Sequence, residues 1–239
     1  MKSVEINKPQ KNALYAGLFY LALAITGFYA LMYVFPQIKI EGDIATTFFN
    51  ISNNPFLFRI GIVSILIMNV TSILLVICLY RLLSGINKTM TLSMLILMLF
   101  GAVVSTVNEV NHFAMIIINN LEGFTLIEKQ NLTHLFTEIQ KHGSYIAVIF
   151  WGLWLFPLGV LIFKLGTPFS KFIGIMLIIA GVGYVLDSIF LFVYPDLKIP
   201  TLSDYTSCGE ILLMLWLLIR SKRIAELAKK QFKHELRNA

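Results

Sequence analysis

Thr91–Ile118 reads TLSMLILMLFGAVVSTVNEVNHFAMIII, and its only ionisable side chains are Glu109 and His112. About 20 apolar residues in helical form cross the roughly 30 Å hydrocarbon core of a bilayer, so a run this long is read as a membrane-spanning helix. Inside it, Asn108–His112 (Asn-Glu-Val-Asn-His) sets a carboxylate and an imidazole between apolar flanks. At the centre of a membrane helix each charge costs about 2.5–3.5 kcal/mol to insert, so such groups face a protein interior or a wet cavity. The stretch therefore predicts a helical membrane bundle with a polar pocket.

Five further runs have the same character: Ala13–Phe35, Phe56–Leu79, Ser144–Phe163, Phe169–Tyr194 and Ser203–Ile219. Lipid offers no hydrogen bonds to the backbone, and continuous apolar runs satisfy that constraint only as helices. The expected fold is all-α, a six-helix transmembrane domain over residues 1–220 followed by a basic amphipathic tail at 221–239. Composition agrees. The 239 residues are 57% hydrophobic and 13% charged, with a mean hydropathy of +0.79, outside the range of soluble domains. No signal peptide is expected, because Ala13–Phe35 exceeds an h-region and lacks a small-x-small cleavage pattern.

Lysine and arginine set the expected orientation. The N-terminus (Lys2, Lys8, Lys11), loops 80–90 and 164–171, and the C-terminus hold 14 of the 19 basic residues; the opposite segments, with Lys39, Arg59, Lys129, Lys141 and Lys198, hold 5. Both termini are thus expected in the cytoplasm. The net charge of +6 resides mostly in the tail, which carries seven basic residues from Arg220 to Arg237 against Glu226 and Glu235. Ile224, Leu227, Ala228, Phe232 and Leu236 form an apolar stripe there, which suggests an anchor on anionic lipid and leaves nucleic acid unneeded as a partner.

Between the third and fourth runs, Thr125-x-x-Glu128 is a capping-box pattern. Leu132, Leu135, Phe136 and Ile139 then recur at helical spacing, predicting an external amphipathic helix that lies over the bundle, with His134 and Glu138 on its other face. Gly101, Gly152, Gly159, Gly174, Ala180, Gly181 and Gly183 suit close helix approach. Met90, Met94 and Met98 read as packing rather than a copper site. Cys78 and Cys208 fall at opposite ends of their runs, so no disulfide is expected.

Depth singles out a constellation. Counted at 1.5 Å per residue, Asp187 lies in the outer part of the fifth run and Glu210 about 10 Å below the outer end of the sixth. Arg59 opens the second run and His142 the fourth. Arg59, Glu109, His112, His142, Tyr184, Asp187 and Glu210 are therefore expected to share one outward-facing pocket. Three acids face one arginine, so the surplus must be protonated, neutralised by imidazolium or matched by a cation.

Three functions compete. The groups form a structural network; or they bind a small polar or cationic ligand or handle a proton; or they hold a metal for intramembrane hydrolysis. Glu109-x-x-His112 matches the spacing of carboxylate-bridged metal bundles, but those use two copies. His112, His142 and Glu109 are the metal alternative, and no cofactor is called for. No Gly-x-Ser-x-Gly, paired His-Glu-x-x-His or P-loop is present.

The C-terminal half carries a resemblance. His142-Gly143, Phe150-Trp151-Gly152-Leu153-Trp154-Leu155-Phe156-Pro157-Leu158-Gly159, Gly174, Ala180-Gly181, Gly183-Tyr184, Asp187-Ser188, Gly209-Glu210 and Trp216-Leu217 resemble the bacterial multi-pass membrane family catalogued as domain of unknown function 4386. The resemblance implies six spans in a bacterial inner membrane. It implies no activity, substrate or cofactor. It points at His142, Tyr184, Asp187 and Glu210.

Overall fold

The computed structural model describes residues 8–195 and 200–238, leaving Lys2 and Lys198 of the charge reading outside the described residues. Among these, every regular element is a helix. Six helical segments are long and apolar enough to cross a membrane: Lys8–Ile38, Pro55–Leu83, Lys88–Asn119, Leu126–Phe163, Pro168–Val193 and Leu202–Arg237.

The first segment is α1 (Lys8–Phe28), a π-helical stretch (Tyr29–Val34) and α2 (Phe35–Ile38). Pro36 accounts for the widened turn. It has no N–H to donate, and its ring displaces the carbonyl one turn back, which a π turn accommodates. A short helix the sequence reading did not contain, α3 (Ile44–Asn53), follows, capped where Asp43 accepts the Thr46 amide at 2.9 Å. α4 (Pro55–Leu83) is the second span, with proline in its first turn where no donor is needed.

The third span is broken within Asn108–His112. α5 (Lys88–Asn108) ends and α6 (Val110–Asn119) begins around Glu109, whose amide bonds the Thr106 carbonyl three residues back at 3.3 Å. α7 (Leu126–Leu153) and α8 (Leu155–Phe163) form the fourth span, and α9 (Pro168–Val193) the fifth. A short α10 (Leu202–Thr206) leads into α11 (Cys208–Asn238).

Two expected elements differ in connection. The external helix is not a separate piece laid over the bundle. It is the first part of α7, opened by the Thr125–Glu128 capping box and running unbroken through His142-Gly143 into the fourth span. Its protein-facing side also differs: Thr133 is buried, while Leu135 and Ile139 are 52% and 44% exposed. Polar contacts decide the rotation, because Asn108 Nδ2 donates to the Gln140 carbonyl (2.8 Å) and to Ser144 Oγ (3.1 Å). Likewise the basic tail continues α11 past a bend at Arg220 (φ −123°, ψ 30°). Ile224, Leu227 and Ala228 are buried in the same core as Leu83 and Leu161, so three of the five residues of the tail's apolar stripe pack on protein. Phe232 and Leu236 remain exposed.

Close packing follows the small residues. A Cβ on Gly152 would meet the Gly181 carbonyl oxygen at 2.8 Å, and one on Gly159 the Gly174 carbonyl oxygen at 2.7 Å. Glycine at these positions lets α7–α8 and α9 touch backbone to backbone. Met94 and Met98 lie in the core. Cys78 is buried, Cys208 exposed, and both are free.

Candidate functional site

The polar residues picked out from the sequence do not meet in one chamber. They fall into separate groups at different depths.

Glu109 and His112 form a buried pair: His112 Nδ1 lies 2.8 Å from Glu109 Oε2. The break after α5 lets the carboxylate turn back onto its i+3 neighbour. The imidazole is sandwiched by Phe35 and Phe58, with ring centroids at 4.8 and 5.3 Å, and its Nε2 has no protein partner. Lys39, just past the end of α2, sits 4.9 Å above the Phe35 ring and donates to Gln140 Oε1 at 2.8 Å. Burial pushes the Lys39 ammonium down to about 8, with nearby Glu109 opposing the shift.

Asp187 is a cap. Its two carboxylate oxygens accept the backbone amides of Leu202 (2.7 Å) and Ser203 (2.9 Å), the opening residues of α10. Both oxygens are thereby engaged in joining the fifth span to the sixth. His142 is exposed; its Nδ1 donates to the Glu138 carbonyl at 2.8 Å and its ring stacks on Phe192. Arg59 is exposed and has no acidic partner within 4 Å among the described residues. The metal alternative is not assembled: among the described residues no three His, Cys, Asp or Glu side chains are placed to hold an ion.

Glu210 stands alone, and deeper than its position in the sequence suggested. Gly209 packs against the backbone of Met176 and Leu177, a level about 16 Å of helical rise below Asp187 along α9. The expectation placed Glu210 near the outer surface by starting the sixth span there. In the structure that chain is already pinned to Asp187, inside α9, before α11 begins.

Glu210 Oε2 accepts from Tyr20 Oη at 2.6 Å and Oε1 from Tyr184 Oη at 2.9 Å. No basic side chain lies within 4 Å among the described residues. The carboxylate opens into a cavity of about 440 Å³ to which all six spans contribute, walled by Tyr20, Met68, Met98, Trp151, Trp154 and Tyr184. Such a chamber, mostly apolar with a few convergent polar groups, is the usual form of a small-molecule site. Asn69 and Ser207 also line it. A second, more open cleft of about 580 Å³ lies between Lys39, Asp43, Glu138 and Tyr145, and Leu31 of the π turn lines both.

Of the seven expected residues, only Tyr184 and Glu210 touch this pocket. Tyr20, Asn69, Trp151 and Trp154 were missed as site residues. Asn69 carried a signal, as the single amide side chain in the second run, whereas Tyr20 is one of four tyrosines in the first. What they meet across the bundle is a matter of packing.

Fold and site together define a multi-pass helical protein with an unpaired carboxylate deep among its spans. The chain belongs to the family described as Domain of unknown function (DUF4386), whose model matches residues 15–221. It is 28% identical over 167 residues to an uncharacterized protein of Archaeoglobus fulgidus, a match covering 70% of this chain and 85% of that relative. No solved structure matches it.

Proposed function

We propose that the Glu210 chamber binds a small organic cation. One observation carries this reading: a carboxylate with both oxygens oriented by tyrosine hydroxyls, no basic partner, and aromatic walls around it. A buried carboxylate is costly unless its charge is matched. Two phenol donors relieve part of that cost but supply no positive charge. An ammonium group supplies it, and the faces of tyrosine and tryptophan add about 0.5–2 kcal/mol of cation–π attraction each.

A proton is the second candidate occupant, because the same carboxylate is neutralised by taking one up. Thermal unfolding of the purified protein in detergent, with and without hexylamine, separates the two. Organic-cation binding raises the unfolding temperature of the wild type and leaves Glu210→Gln unchanged. A wild type insensitive to the amine rejects the reading.

The basic end of the bundle, where Lys164 meets Glu235 and Phe232 packs on Gly85, is inferred to face the cytoplasm of a bacterial inner membrane. The exposed Lys229, Lys230 and Lys233 of the tail would then lie against anionic lipid.

A further inference from the structure

The chamber is also lined by Asn69, Ser72, Ser203, Asp204 and Ser207, and of these Asn69 narrows the ligand further. Asn69 is 2% exposed. Its Nδ2 donates to Ser105 Oγ at 3.1 Å, while its Oδ1 has no hydrogen-bond partner within the protein. Asn69 lines the same cavity as Glu210. Buried amide oxygens are ordinarily paired, because leaving one unpaired forfeits its hydration with nothing in return. The nearby Ser72 hydroxyl, which also lines the cavity, is spent on the Asn69 backbone carbonyl at 2.7 Å and leaves the side-chain oxygen unpaired.

We infer that the chamber is built for an amine carrying a second N–H or O–H donor, an amino alcohol or a diamine, whose ammonium meets Glu210 while the second donor meets Asn69 Oδ1. This rests on the organic-cation reading and adds to it. Glu210 alone accepts any amine of suitable size. Asn69 selects among amines, since its oxygen remains unpaired beneath a ligand that ends in a methyl group. The mostly apolar lining of the chamber suits a hydrocarbon body joining the two polar ends. Specificity of this kind is strong because the cost falls on the wrong ligand, which leaves a buried acceptor unpaired.

The test compares hexylamine, 6-amino-1-hexanol and 6-methoxyhexylamine by calorimetry on the purified full chain. In the wild type the alcohol should bind about five- to tenfold tighter than its methyl ether, the loss of one hydrogen bond. In Asn69→Leu the preference of the alcohol over hexylamine should fall by a similar factor. Equal affinity of alcohol and ether in the wild type overturns the inference, as does an unchanged preference in Asn69→Leu. The ether comparison needs no variant, so it decides even if Asn69→Leu does not fold. If no amine binds the wild type, it is the cation reading itself that fails.

Discussion

Tyr20 and Glu210 stand 190 positions apart and are joined by a hydrogen bond of 2.6 Å. It ties the first span to the last at the level of the chamber. Within membranes such interhelical bonds contribute about 0.6 kcal/mol on average and up to about 1.7. Tyr20→Phe should therefore lower unfolding stability by about 1 kcal/mol, and it should weaken amine binding as well because the carboxylate loses one of its two guides. Unfolding in detergent, with and without hexylamine, checks both effects.

Asp187→Asn should act on structure rather than on ligand binding. An amide side chain has one acceptor oxygen where the carboxylate uses two, so either the Leu202 or the Ser203 amide loses its partner. Loss of a helix cap costs about 0.5–2 kcal/mol. Hydrogen exchange at Leu202 and Ser203 should quicken, with amine affinity at Glu210 little changed. Strong loss of binding with unchanged exchange would return Asp187 to the site.

At Gly152 an added methyl group meets the Gly181 carbonyl oxygen at 2.8 Å, backbone that cannot rotate away. Gly152→Ala should push α7 from α9 and cost about 1–3 kcal/mol by overpacking. Gly123→Ala, in a loop with nothing within 4 Å but φ at +80°, tests a different penalty, backbone strain alone.

The cap of α3 should respond to acid. Hydrogen bonds from the Thr46 hydroxyl and amide hold the Asp43 carboxyl below the ordinary carboxylate range. Its folded pKa is thus lower than its unfolded one. The stabilisation is complete above the unfolded value, near 4, and is lost as pH falls through the lower folded value. Exchange protection of the Thr46 amide should decline over that window, and Asp43→Asn should remove the dependence.

Core burial, not charge, holds the tail. Ile224 is fully buried, and Ile224→Ala should cost about 2–5 kcal/mol. Lys164 and Glu235 meet at 3.5 Å with both side chains over a third exposed, so Glu235→Gln should cost less than about 1 kcal/mol. Chemical unfolding of the two variants side by side measures the contrast.

The spans were legible because hydrocarbon length and backbone satisfaction leave few alternatives, and each run is long and nearly free of charge. The pocket was legible only in part. Placement along the chain gives depth when a span starts at the membrane surface, and it failed for Glu210 because α10 is tethered to Asp187 within the bundle. Rotation of α7 was hidden too. Its outer half carries an apolar stripe, yet Asn108 drew Gln140 and Ser144 inward, a choice made by a partner 32 and 36 residues away. His112 was expected to line the shared outward-facing pocket but is packed in the protein interior between two phenylalanines.

The depth of Glu210 has an electrical consequence. Glu210 lies about 15 Å of helical rise from the bend at Arg220, so in a membrane with a core of roughly 30 Å ending at that bend a monovalent occupant would sit about midway through the field, and a full crossing is worth about 2.3 kcal/mol per charge for each 100 mV. Loading from one face would therefore be aided by about half that energy, and loading from the other face opposed by it. At 100 mV the same chamber would hold its guest severalfold more or less tightly depending on which compartment it came from.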